Sequence, residues 1–224
     1  MPRAKGVKNA DYEAKRRELL DRMLPRFARL DLERPSLRQL AAAAEVTAPT
    51  LQHYFGDRTG VVAALLEEYR RRGERRLEAV ARADGAFPRS MRDFAVSLVR
   101  GMQARAEGQV RLGDVMAASL CEGLADPQVS PLALGHVIDP AIDALVMRLE
   151  AHAARGEIID ADLRAAALML LSPLLLGVLH QDQMGGAASR RIELDVLAEQ
   201  VSAAFVRAYA VAPAAAPAAA VRER

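Results

Sequence analysis

Tryptophan is absent from this 224-residue chain, cysteine occurs once, and aromatic residues make up only 4% of it. The lone cysteine, Cys121, excludes an internal disulfide framework and suits a reducing, cytoplasmic setting. The four histidines, at positions 53, 136, 152 and 180, have no metal-ligand spacing and no cysteine pair beside them, so no metal centre is expected. Phosphate-cradling glycine loops and nucleophile elbows are missing too, and neither a cofactor nor an enzymatic activity is expected. β-Branched residues are sparse and no alternating strand pattern lies between turns, which points to an all-α fold. Residues 1–18 are polar and charged, unlike a signal peptide. The most apolar run, 165–179, falls short of the ~20 residues of a bilayer span and contains Ser172-Pro173, so it reads as a buried helix.

Helix formers fill the space left by these absences: Ala, Leu, Arg and Glu recur throughout, and half of the residues are apolar. The formal charge of +2 conceals an asymmetry. Residues 1–76 hold 17 Lys and Arg against 11 Asp and Glu, whereas the remainder holds 14 against 18. A basic first third on an acidic remainder suits a protein that meets a polyanion at one end.

Periodicity divides the chain into a basic arm over 1–10, a small helical unit over 11–56, a larger one over 57–210 and a low-complexity tail over 211–224. Arm and tail are expected to be disordered. The first helix, about 11–30, carries Leu20, Met23, Leu24 and Phe27 on one face, with Pro25 inside the pattern. Ser36 and Gln39 form a capping box that starts the second helix. Thr47 caps a short third helix with Pro49 in its first turn, and Gly56 ends it. Asp57 caps a long fourth helix reaching about residue 83. Further helices are expected near 89–106, 111–123, 130–154, 161–183 and 190–209, with Asp139-Pro140 a candidate break.

The stretch 36–55 is therefore two short helices joined by a tight turn. Leu37, Leu40, Val46, Leu51 and Phe55 are spaced to share a small core, which turns Pro49, Gln52 and His53 outward. Such a hairpin can lay its second helix in the major groove while the first crosses the backbone. An ordinary helical hairpin within a bundle is the alternative reading. Arg38 can bond a guanine edge and Gln52 an adenine edge, while Ala48 and Pro49 offer apolar surface to a thymine methyl. Ser36, Thr47, Thr50, Tyr54 and Arg58 are candidates for phosphate oxygens, and His53 for either a base or a phosphate.

Residues 36–66, SLRQLAAAAEVTAPTLQHYFGDRTGVVAALL, preceded by LLDRMLPRF at 19–27, resemble the TetR family of one-component transcriptional regulators. Leu40-Ala41, Val46-Thr47, Thr50-Leu51, Tyr54-Phe55 and Arg58 stand at the places of that family's pattern. Three positions depart from it. Glu45 replaces the turn glycine, Asp31 the glycine after the first helix, and Gln52 an early tyrosine of the recognition helix. A glutamate in that turn needs an unfavourable backbone angle or a different turn.

The resemblance implies a helix-turn-helix DNA-binding domain joined by a long fourth helix to a ligand-binding and dimerisation domain. It also implies a homodimer on double-stranded DNA with a palindromic operator, and a repressor released by a small apolar effector. A regulator of the same build that answers to a protein partner is the alternative. The last two helices would pair with those of a second subunit through Leu170, Leu174, Gly177, Val178 and Gln181 on one and Leu194, Leu197, Val201 and Phe205 on the other. Effector-pocket candidates are Met102, Arg105, Met116, Leu120, Cys121, Ile138, Ile142, Leu171 and Leu175.

Overall fold

The computed structural model describes residues 5–29, 34–105 and 110–211, with side chains from Ala10 onward. The expected tail, Arg3 of the arm, Asp31 and the side chains of Lys5 and Lys8 lie outside the described residues. Helix α1 spans Lys5–Phe27, so it starts within the stretch read as an arm. Then come α2 (Leu37–Ala43), α3 (Ala48–Phe55), α4 (Arg58–Ala81), α5 (Phe87–Gln103) and α6 (Leu112–Ala125). α7 (Ser130–Ala133) runs through a π-helical turn, Leu134–Ile138, into α8 (Asp139–Ala154). α9 (Leu163–Val178) ends in a second π turn, Leu179–Gln183, before the single turn α10 (Gly186–Ser189) and the final helix α11 (Leu194–Tyr209).

The break expected at Asp139-Pro140 is absorbed rather than made. Proline lacks the amide that would continue the α-helical ladder. The backbone widens instead, with the Asp139 amide donating to the Leu134 carbonyl, and Pro140 falls in the first turn of α8.

The long α1 and the short α2 and α3 form a head at one end of the core. Leu19, Leu20, Met23 and Phe27 of α1 meet Leu40 and Ala41 of α2 and Leu51 of α3, all buried. The body is a layered bundle in which α4 packs on α8, while α11 lies along α5 and α9. Arg148 of α8 fastens the far end of α4. Its Nε donates to the Val80 carbonyl (2.6 Å) and its Nη2 to the Ala79 carbonyl (3.0 Å). Its Nη1 reaches the carbonyl (2.8 Å) and hydroxyl (3.1 Å) of Ser90 on α5. A cation placed on the last carbonyls of a helix also meets the negative end of its dipole. α4 therefore ends where Arg148 holds it.

Helix α9 with its π turn makes one continuous run over 163–183, close to the expected 161–183, and the whole run is long and apolar enough by composition to cross a membrane where the stretch 165–179 alone was too short. In this fold one side of the run is packed on α5, α8 and α11. Its other side leaves Leu168, Met169 and Leu176 exposed, the last at 63%. The stripe assigned to a dimer lies on the packed side. Leu170, Leu174, Gly177 and Val178 are buried, as are Leu194 and Phe205, and Leu197 and Val201 pack on the same core. A Cβ at Gly177 would collide with Leu197 of the same chain, so that glycine serves the α9–α11 contact. Gln181 is buried as well. It donates to the Arg190 carbonyl and accepts from the Ile192 amide, pinning the loop before α11. The stripes expected to face a second subunit are packed within one subunit.

His152 of α8 is fully buried against Phe87 (5.2 Å between ring centroids), with Nδ1 2.5 Å from a Glu157 carboxylate oxygen. Burial, outweighing the Glu157 bond, holds its pKa below the usual imidazole value. As pH falls below the ~6.5 of an unfolded histidine, the unfolded chain takes a proton that the folded chain refuses, and stability drops. Melting temperature is expected to fall between pH 7 and pH 5.5, and His152→Asn should flatten that fall. Parallel pH profiles would contradict the assignment.

Candidate nucleic-acid interface

α2, α3 and α4 each start on a side chain that satisfies an otherwise orphaned amide. Ser36 accepts from the Gln39 amide while the Gln39 side chain accepts from the Ser36 amide, completing the expected capping box. The Thr47 hydroxyl oxygen accepts from the Thr50 amide (3.3 Å), and Asp57 accepts from the Gly60 amide (2.8 Å). Such caps contribute about 1 kcal/mol each, which matters for helices of two turns that cannot nucleate alone.

The turn between α2 and α3 resolves the question posed by Glu45. Its φ is +56°, and no other non-glycine residue among those described has a positive φ. The Glu45 amide donates to the Ala42 carbonyl and the Val46 amide to the Ala41 carbonyl. These are the two bonds of a Schellman C-cap, with Glu45 in the left-handed place that glycine normally takes. A side chain there costs roughly 1–2 kcal/mol. Arg22 Nη1, 2.6 Å from Glu45 Oε2, ties the strained residue back to α1. The turn thus keeps its ordinary geometry at an energetic cost.

With the turn fixed, α3 presents two unlike edges. Leu51 and Phe55 are buried on the inner one, while Pro49, Gln52 and His53 are exposed on the outer one. Thr47 and Ser36 are exposed beside their caps, Ala48, Thr50 and Tyr54 are half-buried, and Arg38 projects from α2. Neither Arg38 nor Gln52 has a side-chain partner among the described residues, so both keep their hydrogen-bonding capacity for an incoming group.

Two contributors come from α1 and were not anticipated. Tyr12 stacks on Tyr54 (4.8 Å), meets His53 edge-on (6.2 Å) and donates its hydroxyl to the Tyr54 carbonyl (3.4 Å). The Arg16 guanidinium lies over the Phe55 ring at 5.2 Å. Together they brace the C-terminal end of α3. The signal was present, since Tyr12 and Arg16 extend the stripe of Leu20, Met23 and Phe27 at helical spacing.

Arg58 is the expected site residue that the structure turns elsewhere. Its Nε donates to the Pro35 carbonyl (2.9 Å) and its Nη2 to Glu122 Oε1 (2.5 Å). Glu122 lies on α6, only 2% exposed, and also faces Arg34 at 3.5 Å. Arg58 therefore joins head to body instead of pointing to solvent. Gly60, two residues on, lets α4 start close against the end of α3, because a Cβ there would overlap the Phe55 carbonyl oxygen.

The expected pocket residues line neither of the two open spaces described below. Met102, Met116, Ile142 and Leu171 are packed in the core, Leu120, Ile138 and Leu175 lie against it half-buried, and Arg105 and Cys121 are exposed. Open space lies elsewhere. One cavity of about 210 Å³ sits between α1, α4 and the start of α6. A polar groove of about 310 Å³ runs between Arg100 and Gln103 of α5, Asp182 and the loop before α11.

No family profile and no characterised protein matches the sequence. Solved structures do match the fold. A protein described as a TetR-family transcriptional regulator from Mesorhizobium loti MAFF303099 superposes with a TM-score of 0.71 at 18% identity, over 89% of this chain and 98% of its own. A transcriptional regulator from Saccharomonospora viridis, solved in complex with choline, gives 0.66 at 16% identity, over 89% of this chain and 100% of its own. SmeT, the repressor of the Stenotrophomonas maltophilia multidrug efflux pump SmeDEF, gives 0.62 at 16% identity, over 93% and 96%. The all-α fold is thus the TetR fold across nearly the whole chain.

The left-handed turn makes a direct prediction. Glu45→Gly removes both strain and ion pair, whereas Glu45→Ala removes the ion pair alone. Chemical denaturation should find the glycine variant more stable than the alanine variant by about 1 kcal/mol. The opposite order would mean that residue 45 is not left-handed in solution.

Proposed function

We propose that this chain is a sequence-specific DNA-binding transcriptional regulator, a repressor that leaves a palindromic operator when a small, largely apolar effector binds. The observation that carries the reading is the two-edged α3. Its inner edge is anchored by Leu51 and Phe55, while Pro49, Gln52 and His53 stand exposed beside Arg38, which has no side-chain partner among the described residues. Gln52 reads adenine and Arg38 guanine by bidentate bonds, Ala48 and Pro49 meet a thymine methyl, and His53 lies at the flank. Ser36, Thr47, Thr50 and Tyr54 hold the backbone in register. The fold shared with regulators, two of them described above as a repressor and as a choline complex, supports this reading over an enzymatic one.

The partner is a second copy of the chain. Leu168, Met169 and Leu176 of α9 form an exposed apolar stripe, and α11 adds Val196 beside it. Pairing these faces across a two-fold axis covers them and sets two α3 helices about 34–36 Å apart, one turn of DNA. This is the opposite side of α9 from the one the sequence suggested. The protein acts in the cytoplasm, where DNA and effector are both available.

Selection from a random duplex library, followed by sequencing, is expected to enrich a palindrome whose half-sites lie about 10 base pairs apart. Gln52→Ala should weaken the selected site about tenfold and relax the preference at one position per half-site. Lack of enrichment at every salt concentration would overturn the DNA-reading function.

Leu176→Glu should sediment as a folded monomer where the parent chain is a dimer. A dimer that survives this change would place the interface elsewhere.

A further inference from the structure

The cavity between head and body has walls from both. Leu20 and Leu24 come from α1, Leu65 and Tyr69 from α4, and Leu112 and Val115 from α6. Its floor is apolar, and its mouth is lined by Glu68, Arg72 and Arg76 along one face of α4. Its volume of about 210 Å³ is well above the ~10–15 Å³ that a single water needs. It suits a short chain or a single ring.

The charges at the mouth are unequally spent. Glu68, the carboxylate on the wall, already accepts from Arg71 Nε (2.8 Å) and Nη2 (2.6 Å) and from Arg72 Nε (2.7 Å). These donors hold its pKa below the usual carboxylate range, so it stays charged and satisfied. Arg72 also donates to Asp21 of α1. Arg76 has no ion-pair or hydrogen-bond partner among the described residues. Gly73, buried in mid-helix, explains how it is placed, since a Cβ there would come within 3.3 Å of Arg76 Nη2. A glycine in a helix interior is unfavourable by about 1 kcal/mol relative to alanine. Here it lets a guanidinium fold back against α4. Tyr69 adds a phenol whose pKa burial pushes up, so it remains a neutral donor.

We propose that this cavity is a binding site for a small apolar monocarboxylate, its hydrocarbon body against Leu20, Leu24, Leu65 and Val115 and its carboxylate on Arg76. Charge decides the class. An amine would meet an unmatched cation, and a neutral alcohol would leave the Arg76 fork empty, whereas a carboxylate satisfies it bidentately. Because Leu20 and Leu24 belong to the head and Val115 to the body, the ligand would touch both sides of the joint. Its effect on operator affinity rests on the DNA-reading function proposed above, but binding itself does not.

Isothermal titration of the full chain without DNA separates the two claims, with octanoate as the probe and 1-octanol and octylamine as controls. Octanoate is expected to bind at least about tenfold more tightly than either control. Arg76→Gln, an exposed change that leaves the helix intact, should abolish that advantage without altering 1-octanol binding. Leu24→Trp, which fills the space, should weaken octanoate and 1-octanol alike, with unchanged far-ultraviolet circular dichroism as the check on folding. Equal affinities for acid and alcohol, or an octanoate affinity indifferent to either substitution, would overturn the site.

Discussion

A single buried carboxylate joins the two halves of this protein. Glu122 of α6 accepts a short bond from Arg58, the first residue of α4, and faces Arg34, which precedes α2. An anion so well buried is tolerable only with partners, and removing one typically costs 3–5 kcal/mol. The same Arg58 holds the Pro35 carbonyl just ahead of the α2 cap. Head orientation, the start of α4 and the position of α6 therefore depend on one ion-pair cluster. Arg148 secures the opposite end of α4 to α5 and α8. α4 is thus a rod fastened at both ends, and Glu122 couples the head to α6.

The head itself obtains order from local chemistry. Two caps, a Schellman turn and a few leucines suffice to hold α2 and α3, because so few residues need to be fixed. Glu45 shows the limit of that economy. The turn geometry prevails over the residue's preference, and the strain is carried where Arg22 of α1 can partly offset it. Tyr12 and Arg16 complete the support from α1, with Pro49 and Gln52 left exposed on the outer edge of α3.

Local features were legible in the sequence, and partner choices were not. Ser36, Thr47 and Asp57 announce helix starts because capping depends on neighbours three residues away. The outward placement of Gln52 and His53 follows from helical spacing alone. Spacing also marks Leu170, Leu174, Leu194 and Phe205 as buried, yet a stripe states that a face is covered without saying by what. In the fold α9 and α11 cover each other, and the free side of α9 shows as Leu168, Met169 and Leu176. Arg58 illustrates the same limit. Near an expected phosphate it reads as a phosphate ligand, and only the long-range approach of Glu122 reveals its engagement. The packed positions of Met102, Met116 and Ile142, and the cavity beside Leu24 and Tyr69, likewise depend on how distant helices meet.

The account stands or falls on α3 entering the major groove. Methylation interference on a selected duplex tests this most directly, because dimethyl sulfate marks guanine N7 in the major groove and adenine N3 in the minor groove. Guanine N7 methylation within each half-site is predicted to block binding, with adenine N3 methylation in the same half-sites having little effect. Binding that tolerates every guanine N7 mark would contradict it.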